Sequence, residues 1–444
     1  MGTLQSDKVV FYHPLNDSEE HTQSQAWDGT AAYDTGKVAG SLKGVSTPGG
    51  YGATSQIDTT SYFIAAAALD STRLVVVYRG STPTEILARV GTLSGGSVTF
   101  GAATDTSGYA GGIPDTHDLA VDALDSSKVL FAGGVVSAGK RKGYVRVGTV
   151  SGTDITVGDP NVFLNDPSGN GPAYLSVAAL DAATGVLCYQ DQTDSHRGKA
   201  SVCTVSGTSV TVGPAHSISS ETYMYLVRSD ALDASSFVVC YRAGGAPRAK
   251  VGTVSGTDIT FGAQAGVSAG DTDNMAVAAL GADRFVVCWS DESDGNKGKA
   301  RVGHVSGGSI SLGAAATFAD TTIGGDGLAA AATGADSFVA CYRDQTDSNH
   351  GKSAAGTVSG TDITFGSSET FLSDFVIDPA AVGLGAGFAV CYRKGGASNP
   401  GEAAAWQEGS ASSSLAAPAG GATYPPAAAA TKVAFCGWLK KPSA

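Results

Sequence analysis

One phrase recurs along this chain of 444 residues. GTVSGTDIT stands at 148–156, 252–260 and 356–364, with variants at 91–99, 203–211 and 303–311. Upstream of each lies an apolar run, such as LVVVYR (74–79), FVVCYR (237–242) or FVACYR (338–343). An Ala-rich run comes before that. Anchored on positions 69, 124, 180, 232, 280, 333 and 384, seven units follow one another at spacings of 48 to 56 residues. In the fifth unit, turn residues separate four candidate strands: Met275–Leu280, Arg284–Ser290, Lys299–Val305 and Ser309–Leu312. Four short strands joined by tight turns form a meander, and a meander repeated at about 50 residues is the pattern of propeller blades. The FVVC runs are apolar at every position, so both faces of the second strand are covered. The shared third-strand glycines Gly91, Gly148, Gly252, Gly303 and Gly356 imply close approach of another group, although Cys203 and Trp406 stand at the matching spots.

The expected fold is all-β: a seven-bladed β-propeller of four-stranded antiparallel blades, with eight blades as the alternative. A solenoid coil is too short for a 50-residue repeat, and isolated 50-residue sandwiches have very small cores. The repeat array spans 51–419, between an N-terminal strand segment (1–50) and a C-terminal one (420–444).

The net charge of −13 and only 28 Lys and Arg argue against a nucleic-acid partner, which needs clustered cations, and against anionic membranes. There is no apolar run of 18 residues, so membrane insertion is not expected. The opening MGTLQSDKVVFYHPL has no basic-then-apolar signal pattern, and synthesis in the cytoplasm is expected.

Cys188, Cys240, Cys288, Cys341 and Cys391 occupy one repeat position and read as small buried apolar residues. A Cys188–Cys203 bridge on neighbouring strands stays open as an alternative. No C-x-x-C or H-x₃-H spacing points to zinc.

The candidate binding residues lie where the second strand ends. Three units carry the loops 191–199, 291–299 and 344–352, with paired carboxylates Asp191 and Asp194, Asp291 and Asp294, and Asp344 and Asp347. Local turn chemistry, partner or sugar contact, and Ca²⁺ are the three readings of these loops. Ca²⁺ is the weakest, because the D-x-[DN]-x-[DN]-G spacing is missing, so no cofactor or metal is assigned. Arg79, Arg242, Arg343 and Arg393 follow the closing aromatic of that strand, and Trp289 is one such aromatic. These aromatics read either as packing between blades or as a platform for sugar rings. No nucleophile elbow, P-loop, HExxH, Asp-box, WD40 or Kelch signature is present, so no catalytic residue is assigned and the chain is read as not an enzyme.

Two resemblances bear on function. The Ala-Leu-Asp turn, VVCYRD and GKARVGTVSGTDITFG resemble repeats of environmental bacteriophage tail-associated and bacterial surface proteins. That resemblance implies attachment, a virion or extracellular-surface location, and a glycan or cell-surface receptor or other virion or surface proteins as partners. KVVFYHPLND…GKVAGSL (8–44) and ATKVAFCGWLKKPSA (430–444) resemble pieces of a laminin-G-like, concanavalin-type domain; ring-closing strands are the alternative. The expected function is a non-enzymatic binding or adhesion module, with glycans as one ligand class. The alternatives are a self-assembling structural virion or filament component, and a glycan-cleaving enzyme.

Overall fold

The computed structural model describes residues 9–11, 25–27, 49–82, 85–106, 119–137, 140–166, 170–385, 387–396 and 398–407. The chain divides into two compact units, 49–408 and, drawn from both ends, 1–48 with 409–444. In the second, Val9–Phe11 pairs antiparallel with Gln25–Trp27. The laminin-G-like reading otherwise lies outside the described residues, as does 427–438, whose echo of the second-strand hairpin, with that of 4–12, prompts the eight-blade alternative. No helix among the described residues is long and apolar enough to cross a membrane.

Unit 49–408 is all antiparallel β, propeller-like, and built of four-stranded meanders. Sheet 1 comprises Tyr62–Ala68, Arg73–Arg79, Ile86–Ser94 and Ser97–Phe100. Sheets 2, 3 and 4 repeat the order from Leu119–Asp125, Pro172–Ala179 and Tyr225–Asp233. Sheet 5 runs Met275–Gly281, Arg284–Asp291, Lys297–Ser306 and Ser309–Leu312, within two residues of the sequence expectation. The continuous strand Ala316–Gly334 pairs with sheet 5 and then becomes the inner strand of sheet 6. Sheet 7 takes Val376–Leu384, Gly387–Lys394 and Gly401–Gln407 from the late chain, and its outer strands Gly50–Tyr51 and Ser55–Asp58 from the early chain. Inner strands touch in sequence order, and that of sheet 7 touches that of sheet 1. The third strand of the last repeat therefore completes its sheet with residues from the other end of the unit.

A feature that the repeat did not reveal is a short fifth strand, paired with the first half of the third strand. Near its end one residue packs toward the next sheet, and its size is matched there. Phe318 and Phe371 pack in one cluster with a small third-strand residue of the next sheet, Ala354 and Ala404, and after Phe163 the matching third-strand position holds Ser201. Where the residue is Ile57, Thr106, Ile218 or Val267, the next sheet offers a long cation: Arg89, Arg146, Lys250 or Arg301. Arg146 donates to the Thr106 carbonyl at 2.5 Å, and Lys250 to the Ile218 carbonyl at 2.9 Å. A large ring needs a small neighbour, and a smaller wedge leaves room for an aliphatic stem whose charge ends on a carbonyl.

The third-strand glycines follow the same logic within each sheet. A Cβ on Gly252, Gly303 or Gly356 would lie 2.2–2.4 Å from the ring of Phe237, Phe285 or Phe338, the cross-strand partner. Cys203 is the exception in sheet 3, and its partner is Gly185, so the small residue has changed strands. In sheet 7, Phe388 and Trp406 stack instead, with centroids 5.6 Å apart and planes at 16°. The six cysteines among the described residues are buried free thiols, so the Cys188–Cys203 bridge does not form. Burial pushes the Cys188 and Cys203 thiols up to about 12.

Candidate functional site

Tyr62 pairs with Arg79, Tyr225 with Arg242 and Ile377 with Arg393, so inner strands begin where second strands end. That face also carries the loops between second and third strands. Sheets 1, 3, 4 and 7 share a bulge there: Phe63, Tyr174, Leu226 and Asp378 have φ of 51°, 52°, 52° and 48°, and the pairing register slips at each. A non-glycine residue in the left-handed region is strained, and a bulge re-aims its side chain. Phe63, Leu226 and Asp378 line a cavity of ≈ 250 Å³ whose wall includes Leu119, Asn274 and Leu328, with inner-strand residues from every sheet.

Arginines ring this mouth. The Arg79 guanidinium lies 4.3 Å from the Tyr62 ring centroid and 5.1 Å from that of Phe63. Arg393 reaches the same Tyr62 ring at 5.3 Å and pairs with Asp378 at 3.2 Å. Arg343 lies 5.3 Å over the Phe375 ring and donates to the Gly325 carbonyl at 2.5 Å. Arg242 holds Asp271 through two contacts of 2.7 and 2.8 Å. Ring and carboxylate contacts fix these guanidiniums in orientation around a cavity whose wall mixes apolar residues with Arg228, Ser229, Asn274 and Asp378. Tyr174 and Tyr225 meet edge to face at 5.7 Å, joining sheets 3 and 4.

The other candidates are placed differently. Trp289 is 1 % exposed, packed with Phe285, Met275 and Val267, so this aromatic belongs to the core and offers no platform to a ligand. Tyr78, Tyr189, Tyr241, Tyr342 and Tyr392 are buried in the same way. The acidic loops are closed on themselves. Asp191, Asp291 and Asp344 each accept from the backbone N–H and the hydroxyl two residues on, at 2.5–3.1 Å. Lys299 sits between Asp291 and Asp294 at 2.8 and 2.9 Å, and Lys352 between Asp344 and Asp347 at 2.9 and 2.8 Å. Lys199 pairs with Asp194 at 2.6 Å. An ammonium stands where a cation ligand would need to stand. Asp347, with Asp344 behind it, pushes the Lys352 ammonium up to about 12 against its partial burial. The Lys352 and Lys299 contacts hold Asp347 and Asp294 below the usual carboxylate range. Ser195, His196, Asn296, Ser348 and Asn349 turn these loops in the left-handed region.

The sequence reading missed Tyr62, Phe63, Leu226, Asp271 and Asp378. The available signal was the residues just before the Ala-rich runs, Tyr62 and Phe63 among them, to which the sequence reading assigned no role.

No family model and no curated protein matches the chain. Among solved structures it is similar to AofleA from Arthrobotrys oligospora, with a TM-score of 0.43 and 10% identity, over 72% of this chain and 90% of that one. A triple arginine-to-alanine variant of AofleA gives a TM-score of 0.45 and 10% identity over 73% and 90%. Trypanosoma rangeli sialidase gives a TM-score of 0.47 and 8% identity over 79% of this chain and 55% of that one.

Proposed function

We propose that unit 49–408 is a seven-bladed β-propeller whose channel mouth binds glycans without cleaving them. The carrying observation is the convergence of Arg79 and Arg393 on Tyr62, beside the cavity that Phe63 lines from its strained bulge. A saccharide has apolar C–H faces and vicinal hydroxyls. Phe63, Leu119, Leu226 and Leu328 of the wall suit the first, and planar guanidiniums suit the second. The cavity is small, so one sugar residue fits there and the rest of the chain lies along the rim. The non-catalytic half is supported by the engagement of most acids on this face, although Glu292 stands beside Asp273 and is raised by burial and by that carboxylate. Asp378 and Asp271 hold arginines, and the loop carboxylates hold lysines. Hydrolysis of a glycoside needs a carboxylic acid and a second carboxylate free to act on the sugar.

Attachment at a virion or extracellular surface, to a receptor glycan and beside other surface proteins, is part of the same proposal. It rests on the repeat resemblance. Immunolocalisation to that surface tests it, and exclusion from it overturns it.

A glycan array with the full chain tests the site. Binding of a defined glycan is expected to weaken at least tenfold in Phe63→Ala and Arg393→Ala. Unchanged binding in both variants removes the site from the channel mouth. Release of a cleaved product from the same glycans overturns the non-catalytic half.

A further inference from the structure

The groove between sheets 3 and 4 lies apart from the channel mouth, on the outer strands. It has a volume of ≈ 530 Å³ and is lined by Arg197, His216, Ser219, Ser220, Lys250 and Phe261. Its charge sets it apart in a chain carrying −13. Lys199, Lys297, Lys299, Lys352 and Lys394 each close on a carboxylate. Lys250 instead donates to the Ile218 carbonyl at 2.9 Å and lies 5.9 Å from the Phe261 ring centroid. No acid of the described residues comes within ion-pair distance of it. Arg197 is 37 % exposed at its side chain, with Asp194 at 2.8 Å. His216 Nε2 is shielded from solvent, and its nearest acid is Asp258 at 3.9 Å.

An aromatic platform stands on the segment that leaves this groove. Tyr223, three residues after Ser220, is 57 % exposed. Its ring stacks on His196, the residue before Arg197, with centroids 5.0 Å apart and planes at 15°. Both residues are held in the left-handed region, at φ of 55° and 57°. The Tyr223 N–H donates to the Ser195 carbonyl, and the Met224 N–H to the His196 carbonyl. The left-handed turn at His196 is shared with Asn296 and Asn349 of the other acidic loops, and Tyr223 adds an exposed ring held against it.

We propose that this groove is a second binding site, for an acidic saccharide. A carboxylate or sulfate group sits on Lys250 and Arg197, the serine hydroxyls take the sugar hydroxyls, and the Tyr223 face covers the ring. The cations supply the discrimination against neutral sugars, because only an anionic ligand brings a counter-charge to the Lys250 ammonium, which otherwise donates to a carbonyl.

The test uses the full chain and calorimetry with three tetrasaccharides: a galacturonate, a sulfated one and a neutral galactose one. At least one acidic probe is expected to bind, more weakly as salt rises, while the neutral one leaves the groove empty. Lys250→Gln, Arg197→Gln and Tyr223→Ala are each expected to weaken that binding at least tenfold. Lys250→Arg keeps it, and so does Lys128→Gln in sheet 2. Failure of both acidic probes overturns the proposal. So does binding that survives Lys250→Gln and Arg197→Gln, or that falls equally in Lys128→Gln. If Lys250→Gln does not fold, Arg197→Gln at the exposed rim decides alone.

Discussion

The size match between neighbouring sheets makes a quantitative prediction. At the boundary of sheets 5 and 6, Phe318 is 7 % exposed and packs in one cluster with Ala354, fully buried, and with Tyr342. The rings of Phe318 and Tyr342 are 5.5 Å apart. Ala354→Lys drives a long side chain into the Phe318 ring. Overpacking costs about 1–3 kcal/mol, and an ammonium without a carbonyl to reach adds to that. Phe318→Ile leaves part of the ring volume empty, at a cost of about 1–3 kcal/mol. The double variant copies the Ile218 and Lys250 pair that sheets 3 and 4 already use. It is expected to be more stable than the sum of the single changes by about 2 kcal/mol, a coupling typical of residues in contact. Equilibrium urea unfolding of the four proteins measures it. Additivity within about 0.5 kcal/mol refutes the idea that wedge size and the facing residue are chosen together.

Asp122 and Asp230, on the inner strands of sheets 2 and 4, accept from Ala179 and Ala279 N–H groups of the next sheet. Burial, and for Asp122 also the charge of Asp230, raise them to about 7 and about 6. Their folded values lie above the unfolded 3.8, so the folded state holds more protons. The stability that these two groups contribute is full below about pH 4 and is lost as pH rises through 6 and 7, by up to roughly 4 kcal/mol for Asp122. Asp122→Asn is expected to flatten the curve of melting temperature against pH; an unchanged slope contradicts this. Gly298→Ala places a Cβ 2.3 Å from the Phe318 ring and is expected to cost about 2 kcal/mol or more by urea unfolding, with a cost below 0.5 kcal/mol as the contrary result. Millimolar Ca²⁺ or EDTA is expected to leave the melting temperature unchanged, because Lys299 and Lys352 stand between the loop carboxylates. A Ca²⁺-dependent rise of several degrees would show that the lysines yield.

Much of the local structure was legible. Strand limits in sheet 5 follow from the apolar FVVC run and its flanking turns. The need for Gly252 and Gly303 was visible as a constraint, but its cause, a phenylalanine on the strand opposite, needed the register. The turn bonds of the D-Q-T-D loops follow from the sequence, because Asp and a hydroxyl two residues on bond each other whatever surrounds them. Trp289 was not separable from an exposed aromatic: the same letter at the end of a strand serves core or surface.

The order of residues alone determines what depends on a few neighbours along the chain: strand, turn, the periodic meander and the buried thiol position. Residues far apart in sequence decide the rest. Tyr51 completes a sheet with Trp406, Phe318 selects Ala354, and Lys250 lacks the carboxylates that Lys299 and Lys352 find in their own loops. Each of those facts is a contact between sheets or between distant strands. Repeated units look alike in sequence because they share internal pairing, and they differ at their contacts because each sees a different neighbour across the gap.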